Sequence, residues 1–319
     1  MGIKDSEAKA QTEAKAPIEA KMPVEPTTPT ETRAVDGMKP SIEAFASTDA
    51  NAITTNSGRS GNLLRIRDAV VRRNGKVILD IDRLDVEEGR SLAILGPNGA
   101  GKTTFVNLVT REVMPLHRDE PPIIFRGQPR MTLADTKRCT GVVSSSMQKQ
   151  ISVPLPAIEI VIGGLYGSLG IPLRAKATES QRTKAMDVLE ELGIADLADR
   201  KMNTLSTGQA RRVLVARAMV HDPDILIFDE PCSGLDPQGM YWLRHTMSKL
   251  AEDGRTILLV THYPEDIVPE IEDVLLLKDG SVYARGPKKE LLTTECMRKL
   301  FDVPLEVVKT NRDTYLLEL

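Results

Sequence analysis

No stretch of this sequence stays apolar for the ~20 residues that a membrane-spanning helix needs. The longest apolar runs, Ile225-Leu226-Ile227-Phe228 and Thr256-Ile257-Leu258-Leu259-Val260, have the length of strands. The opening residues, Met1-Gly2-Ile3-Lys4-Asp5, pass directly into charged positions and leave no apolar core for a secretory signal. Cysteine is scarce. Cys139, Cys232 and Cys296 stand far apart and form no C-x-x-C pair, which excludes a disulfide framework and a cysteine zinc site and fits a reducing compartment. One-sided charge is missing too: the net charge is -3 over 319 residues, so no basic excess points to nucleic acid. Together these absences predict a cytosolic chain that meets a membrane only through a partner.

Residues 1–60 are poor in large apolar side chains. Glu-Ala-Lys begins at Glu7, Glu13 and Glu19, and the same spacing continues at Glu25 and Glu31. Six residues match neither the 3.6-residue helix period nor a heptad, and Pro17, Pro23, Pro26 and Pro29 interrupt any helix. Such a segment cannot bury a core, so residues 1–60 are expected to be a disordered tail. Order is expected from 61 onward, in a folded domain over 61–290 and a C-terminal extension over 291–319.

What is present is a loop. Gly96-Pro97-Asn98-Gly99-Ala100-Gly101-Lys102-Thr103-Thr104 reads G-x-x-x-x-G-K-T. The apolar run Leu92-Ala93-Ile94-Leu95 before it suits one buried strand, and Phe105 to Val109 after it suits a helix. That context makes the segment a phosphate-binding loop. Glycines let the backbone wrap a phosphate and aim N–H groups inward, and the helix N-terminus adds partial positive charge. Lys102 would reach the β- and γ-phosphates of a nucleotide, and the Thr103 hydroxyl would ligate Mg²⁺.

Around this loop the pattern alternates. Leu64 to Arg67 and Val70 to Arg73 suggest strands, Asn74-Gly75 a type I′ turn, and Lys76 to Leu79 the return strand. Leu84-Asp85-Val86 alternates again. A further strand is expected at Ile123-Ile124-Phe125, with a turn at Arg126-Gly127. Gly141-Val142-Val143 reads as a core strand, and Ser144-Ser145-Ser146-Met147-Gln148 as a polar loop leaving it. Helices are expected over Ala157 to Ile162 and Ser180 to Leu192, separated by Gly163-Gly164 and by Gly167 to Pro172. In the second helix Met186, Leu189 and Leu192 share a face. Strands at Ile225 to Phe228, Ile257 to Val260, Val274 to Leu277 and Ser281 to Ala284 follow, with a helix around Tyr241 to Ala251. The predicted fold class is α/β: a mostly parallel sheet with a phosphate loop, a small antiparallel β subdomain before it, and an inserted helical subdomain over about 149–205.

Four more short motifs stand out, two of them at predicted strand ends, where ligands of α/β sheets bind. Asp229-Glu230 closes the strand from Ile225. Alone it is a solvated acidic step; beside the phosphate loop it becomes a candidate Mg²⁺ ligand in Asp229 and a general base in Glu230. Leu205-Ser206-Thr207-Gly208-Gln209 opens a helix that Ser206 can cap, a second anion-facing helix start in a chain that already has one. Thr261-His262 follows the strand from Ile257, where the imidazole can meet a γ-phosphate and its attacking water. Ser233-Gly234-Leu235-Asp236 suits a turn against a dimer partner.

Taken together these motifs resemble the ATP-binding cassette (ABC) ATPases, in family order over residues 63–287. The resemblance implies head-to-tail dimers holding two ATPs, each between one chain's Gly96–Thr104 loop and the other chain's Leu205–Gln209 signature. It implies ATP and Mg²⁺ as cofactors, with Thr103, Gln148 and Asp229 toward the metal, and Glu230, His262 and Lys102 in catalysis. It also implies separate permease subunits, a location on the inner face of the cell membrane through them, and in importers a substrate-binding protein. Glu159 to Gly164 and the tail Leu291 to Val308 are similar to ATPases of siderophore, cobalamin and molybdate uptake. Asp229 to Asp236 and Val143-Ser144-Ser145 are similar to a molybdate-related branch. The implied function is therefore an importer ATPase for a metal chelate, vitamin or oxyanion. The alternative is a soluble ABC protein acting on ribosomes or DNA. Against it, the chain has one cassette, and the span from Lys102 to Ser206 has neither heptads nor C-x-x-C. Three positions depart from the family: Thr207 replaces the usual glycine, Arg73 falls where an aromatic stacks on adenine, and three serines precede Gln148. Arginine can stack as a plane.

Overall fold

The computed structural model describes residues 61–318, and the expected tail over 1–60 lies outside them. The chain opens with two long strands, β1 (Asn62–Arg73) and β2 (Lys76–Glu87). They are joined at Asn74-Gly75, where both residues have positive φ, 51° and 79°, as a type I′ turn requires. Where four short strands were expected there are two continuous ones. The alternation that separated them breaks at Asp68, with φ 46°, but pairing resumes at Ala69↔Ile81.

Next come β3 (Leu92–Leu95), α1 (Lys102–Val109), β4 (Ile123–Phe125), α2 (Leu133–Cys139) and β5 (Thr140–Ser144). The serine-rich stretch expected as a loop is instead a short helix, α3 (Ser145–Gln150), because the Ser144 side chain accepts a hydrogen bond from the Met147 N–H and caps it. After it run α4 (Ala157–Leu165) and α5 (Glu179–Glu191). Gly163-Gly164 does not end α4 but lies inside it. A Cβ on Gly164 would sit 2.3 Å from the Arg217 carbonyl oxygen, so glycine there permits close helix packing rather than a break. The buried face of α5 is Ala185, Val188 and Leu189, with Met186 and Leu192 at its margin.

Helix α6 (Thr207–Met219), which the candidate signature opens, precedes β6 (Ile225–Asp229), α7 (Pro237–Glu252), β7 (Thr256–Thr261), β8 (Asp273–Lys278) and β9 (Ser281–Pro287). The chain ends in α8 (Lys288–Leu291), α9 (Thr294–Phe301) and a hairpin of β10 (Glu306–Lys309) and β11 (Tyr315–Glu318).

Nine strands form one sheet in the order β4-β1-β2-β9-β8-β3-β7-β6-β5. Strands β5, β6, β7, β3 and β8 run parallel; β9 returns antiparallel to β8. The antiparallel strands are not a separate sheet. They join the parallel part through one pair, Asp80↔Ser281, supported by the Asp80 N–H donating to the Gly280 carbonyl at 2.7 Å. Beside this join Gly101 and Gly280 both face the Ile78 carbonyl, where a Cβ would lie 3.0 Å and 2.9 Å from its oxygen.

Residues alternate across the sheet, as strand geometry demands. Leu92, Ile94, Ile227 and Val260 face α1 and the inner side chains of β1 and β2. Ala93, Leu95, Phe228 and Leu259 face α4, α6, α7 and α9. Helix α1 and the signature helix α6 therefore pack on opposite faces of one sheet.

Candidate active site

The parallel register sets the site. Leu95 pairs with Thr261, Asp229 with Val260, and Ser144 with Asp229. The ends of β3, β7, β6 and β5 thus share one edge, and the residues that follow them meet there.

Lys102 is 5% exposed at the first position of α1. Its ammonium donates to the carbonyls of Gly96 (2.8 Å) and Pro97 (3.0 Å) and lies 4.0 Å from Glu230 Oε1. Burial lowers the Lys102 pKa, and the carboxylates of Glu230 and Asp229 oppose that shift. Gly101 holds φ 97° just before the helix, a conformation open to glycine. Thr103 is exposed at the same helix start, with Thr104 half-buried behind it. Asn98 and Gly99 are exposed at the loop tip, and Ala100 is buried beneath it.

Asp229 ends β6. Burial, then the neighbouring Glu230 charge, push its carboxyl up to about 6 against the pull of Lys102. Glu230 turns the chain with φ 48°, an uncommon conformation for a residue with a Cβ. Two hydrogen bonds hold that turn: Glu230 N–H to the Val260 carbonyl at 2.8 Å, and Ser233 N–H to the Glu230 carbonyl at 3.2 Å. The Glu230 carboxylate lies 3.2 Å from His262 Nδ1. The residues on either side of His262 are held in turn by a network that sequence reasoning missed. The Thr261 hydroxyl donates to buried Asp266 at 2.8 Å and accepts from the Tyr263 N–H at 3.1 Å, and Arg244 donates to the same carboxylate at 2.8 Å.

Thr103 and Asp229 line one cavity of about 370 Å³ together with Ser144, Ser146 and Arg217. A hydroxyl and a carboxylate are hard oxygen donors, and Mg²⁺ commonly takes one or two protein oxygens and completes its shell with phosphate and water. Among the described residues no group of three or more His, Cys, Asp or Glu side chains is placed to hold a metal ion by itself. Gln148 stands apart from this pair. Its amide donates to the Thr207 carbonyl at 3.0 Å and accepts from Arg211 Nε at 2.8 Å, so both ends are occupied at the signature helix.

The structure brings Lys102, Thr103, Asp229, Glu230 and His262 together and leaves the other motifs elsewhere. Ser206 caps α6 in a reciprocal box with Gln209 (3.2 Å and 3.0 Å). Gly208 packs on Gly239 of α7, Leu205 is half-buried, and Thr207 is exposed. Among the described residues no hydrogen bond joins 205–209 to 96–104. Ser233 and Gly234 are exposed, Leu235 is half-buried, and Asp236 caps α7 through the Gly239 N–H at 2.8 Å. Arg73 is exposed at the end of β1, opposite Lys76.

A family model described as ABC transporter matches residues 79–233. An ABC transporter ATP-binding protein of Bacillus subtilis, YlmA, itself described as uncharacterized, is 36% identical over 249 residues, covering 77% of this chain and 93% of the relative. The chain belongs to the ABC transporter ATP-binding proteins. The petrobactin import ATP-binding protein YclP of Bacillus subtilis is 25% identical to this ABC ATPase, covering 78% of this chain and 98% of its own. Among solved structures, a dimeric post-hydrolysis state of the ATP-binding cassette MJ0796 bound to ADP and Pi is 26% identical with a TM-score of 0.58. It covers 70% of this chain and 98% of its own. The α/β fold, ATP binding and ATP hydrolysis of this ABC ATPase follow from its family. No described helix is long and apolar enough to cross a membrane.

Proposed function

We propose that this ABC ATPase hydrolyses ATP as a head-to-tail dimer and drives separate permease subunits on the inner face of a cell membrane. The carrying observation is the convergence of Lys102, Asp229, Glu230 and His262 at the ends of three adjacent parallel strands, with the signature helix packed on the opposite sheet face from the phosphate-loop helix. That separation favours a signature contributed by a second copy, as does the likeness to a dimeric cassette bound to ADP and Pi.

In this reading the loop Gly96–Thr104 cradles the phosphates, and Lys102 neutralises charge on the transferred group. Glu230 orients and deprotonates the attacking water, and His262, flanked by residues of the Thr261–Asp266 network, keeps the Glu230 carboxylate aimed. Thr103 and Asp229 hold Mg²⁺, which when bound supplies positive charge against the phosphate oxygens. Ser206, Thr207 and Gly208 face the other copy's nucleotide, and Ser233–Asp236 meets that copy. Arg73 is the candidate for stacking on the base. Likeness to a petrobactin import protein supports an import role with a metal chelate, vitamin or oxyanion as cargo, delivered by a substrate-binding protein.

The deciding test is size-exclusion chromatography of Glu230→Gln with ATP and Mg²⁺. The expected result is an ATP-loaded species of twice the monomer mass. An ATP-saturated variant eluting as monomer would overturn the dimeric reading.

A further inference from the structure

Arg211 lies in the first turns of α6 and is 2% exposed, the largest fully buried side chain in the described structure. A buried guanidinium costs free energy unless its donors are satisfied. Its donors reach three places. Nε donates to Gln148 Oε1 at 2.8 Å, Nη1 to the Pro231 carbonyl at 2.8 Å, and Nη2 approaches the Ser233 carbonyl at 3.5 Å. No acidic side chain pairs with it among the described residues. Its acceptors are an amide and two backbone carbonyls, which suits holding a turn in place more than balancing charge.

Those acceptors lie between the site and the signature. Pro231 directly follows Glu230, so the Nη1 bond fixes the turn that carries the base. Ser233 opens the partner-facing segment. Gln148, gripped by Arg211, donates its other end to the Thr207 carbonyl in the signature. One rigid planar fork therefore spans the base-bearing turn and the signature.

We propose that Arg211 is a positioning residue that couples the two ATP sites of the dimer, locking the Glu230–Ser233 turn of its own site to the signature that its chain offers to the other site. The inference rests on the dimeric reading above. When one site pulls or pushes its signature, the displacement passes through Thr207, Gln148 and Arg211 to the base of the second site. Arg211 touches neither nucleotide.

The test compares Arg211→Gln, Arg211→Lys and the parent as full chains, by ATP turnover over a range of ATP concentrations and by amide hydrogen exchange. Arg211→Gln should lower kcat about tenfold, the loss expected if the base-bearing turn gives up about 1.4 kcal/mol of transition-state stabilisation. KM for ATP should stay within about twofold, because the phosphate loop is untouched, and the Hill coefficient should fall toward one. Exchange should accelerate in 231–236 and 145–150 while β3 stays protected. Arg211→Lys should fail to restore the Hill coefficient, since an ammonium cannot reach three acceptors in a fork. Combining Arg211→Gln with Gln148→Ala should cost far less than the product of the two single effects.

Turnover within twofold of the parent, together with an unchanged Hill coefficient, in Arg211→Gln would overturn the proposal. So would accelerated exchange throughout the core together with full rescue by Arg211→Lys, which would reduce Arg211 to a structural cation. Glu230→Gln, measured alongside, separates the two levels. If it alone abolishes turnover and traps the dimer, the site reading stands while the coupling falls. If it leaves hydrolysis unchanged, the site reading itself fails.

Discussion

Glu230 and His262 meet across 32 residues of sequence, with Oε1 3.2 Å from Nδ1, because β6 and β7 lie side by side and end in register. The same register gives the Glu230 N–H its acceptor in Val260, two residues before His262. The proposed base and the imidazole proposed to orient it are thus built from one pair of strands. Replacing Glu230 by Gln should cut turnover by about 10²–10⁴-fold, the usual contribution of a general base, with nucleotide binding retained. His262→Ala should lose a comparable factor. Phosphate release by both variants, with equilibrium ATP binding as control, checks this; parental turnover in either would remove that residue from the site.

Lys102 has two sets of neighbours, the loop carbonyls of Gly96 and Pro97 and the acids beyond them. Lys102→Ala should abolish measurable ATP binding and also loosen the empty loop. Isothermal titration, with hydrogen exchange across 96–101, distinguishes the two losses. Binding at parental affinity would contradict the phosphate-cradling role.

If each site is completed by a second copy, specific activity should rise with protein concentration until dimers saturate. A dilution series of the parent protein at fixed ATP reads this directly. Strictly constant specific activity down to concentrations where only monomer is present would contradict the shared site.

His221 supplies a pH-dependent term in stability. Its Nε2 lies 3.3 Å from the Thr140 carbonyl, while Nδ1 is buried with no partner among the described residues. Burial lowers the folded-state pKa below the usual 6.5. The unfolded chain then takes up the proton first, so the stabilisation is whole above pH 6.5 and is lost as pH falls toward the folded-state value. Thermal unfolding of the parent should show that loss, and His221→Gln should flatten it. Identical pH profiles for the two proteins would refute the assignment.

Much of the fold was legible in the sequence because its signals are local. Asn74-Gly75 needs two positive φ angles and has residues that allow them, and Leu92 to Leu95 is apolar at every position because both sheet faces are covered. The signals that misled were local as well. Three serines look like a loop until one of them caps a helix, and Gly163-Gly164 looks like a break until the opposing carbonyl of Arg217 is seen. Within the site, the residues that follow strand ends could be read from motifs. Arg211 and Arg244 could not, since their work lies in contacts 20 or more residues away, and Asp266 joins the network through both Arg244 and the nearby Thr261 hydroxyl. One cue was available for Arg211: it stands among Ala210, Val213, Leu214 and Val215 in a helix with little polar face, where a cation needs a buried purpose.

The carbonyl of Ile78 receives Gly101 from the phosphate loop on one side and Gly280 from the β8–β9 turn on the other. One backbone oxygen thereby constrains two distant codons. A side chain at either position would push β2 outward, and no change at the other could compensate, because that one is already glycine. Variation in this cassette is thus confined at 101 and 280 by a strand that carries no catalytic group, and a library randomising both positions should return glycine at each among its active members.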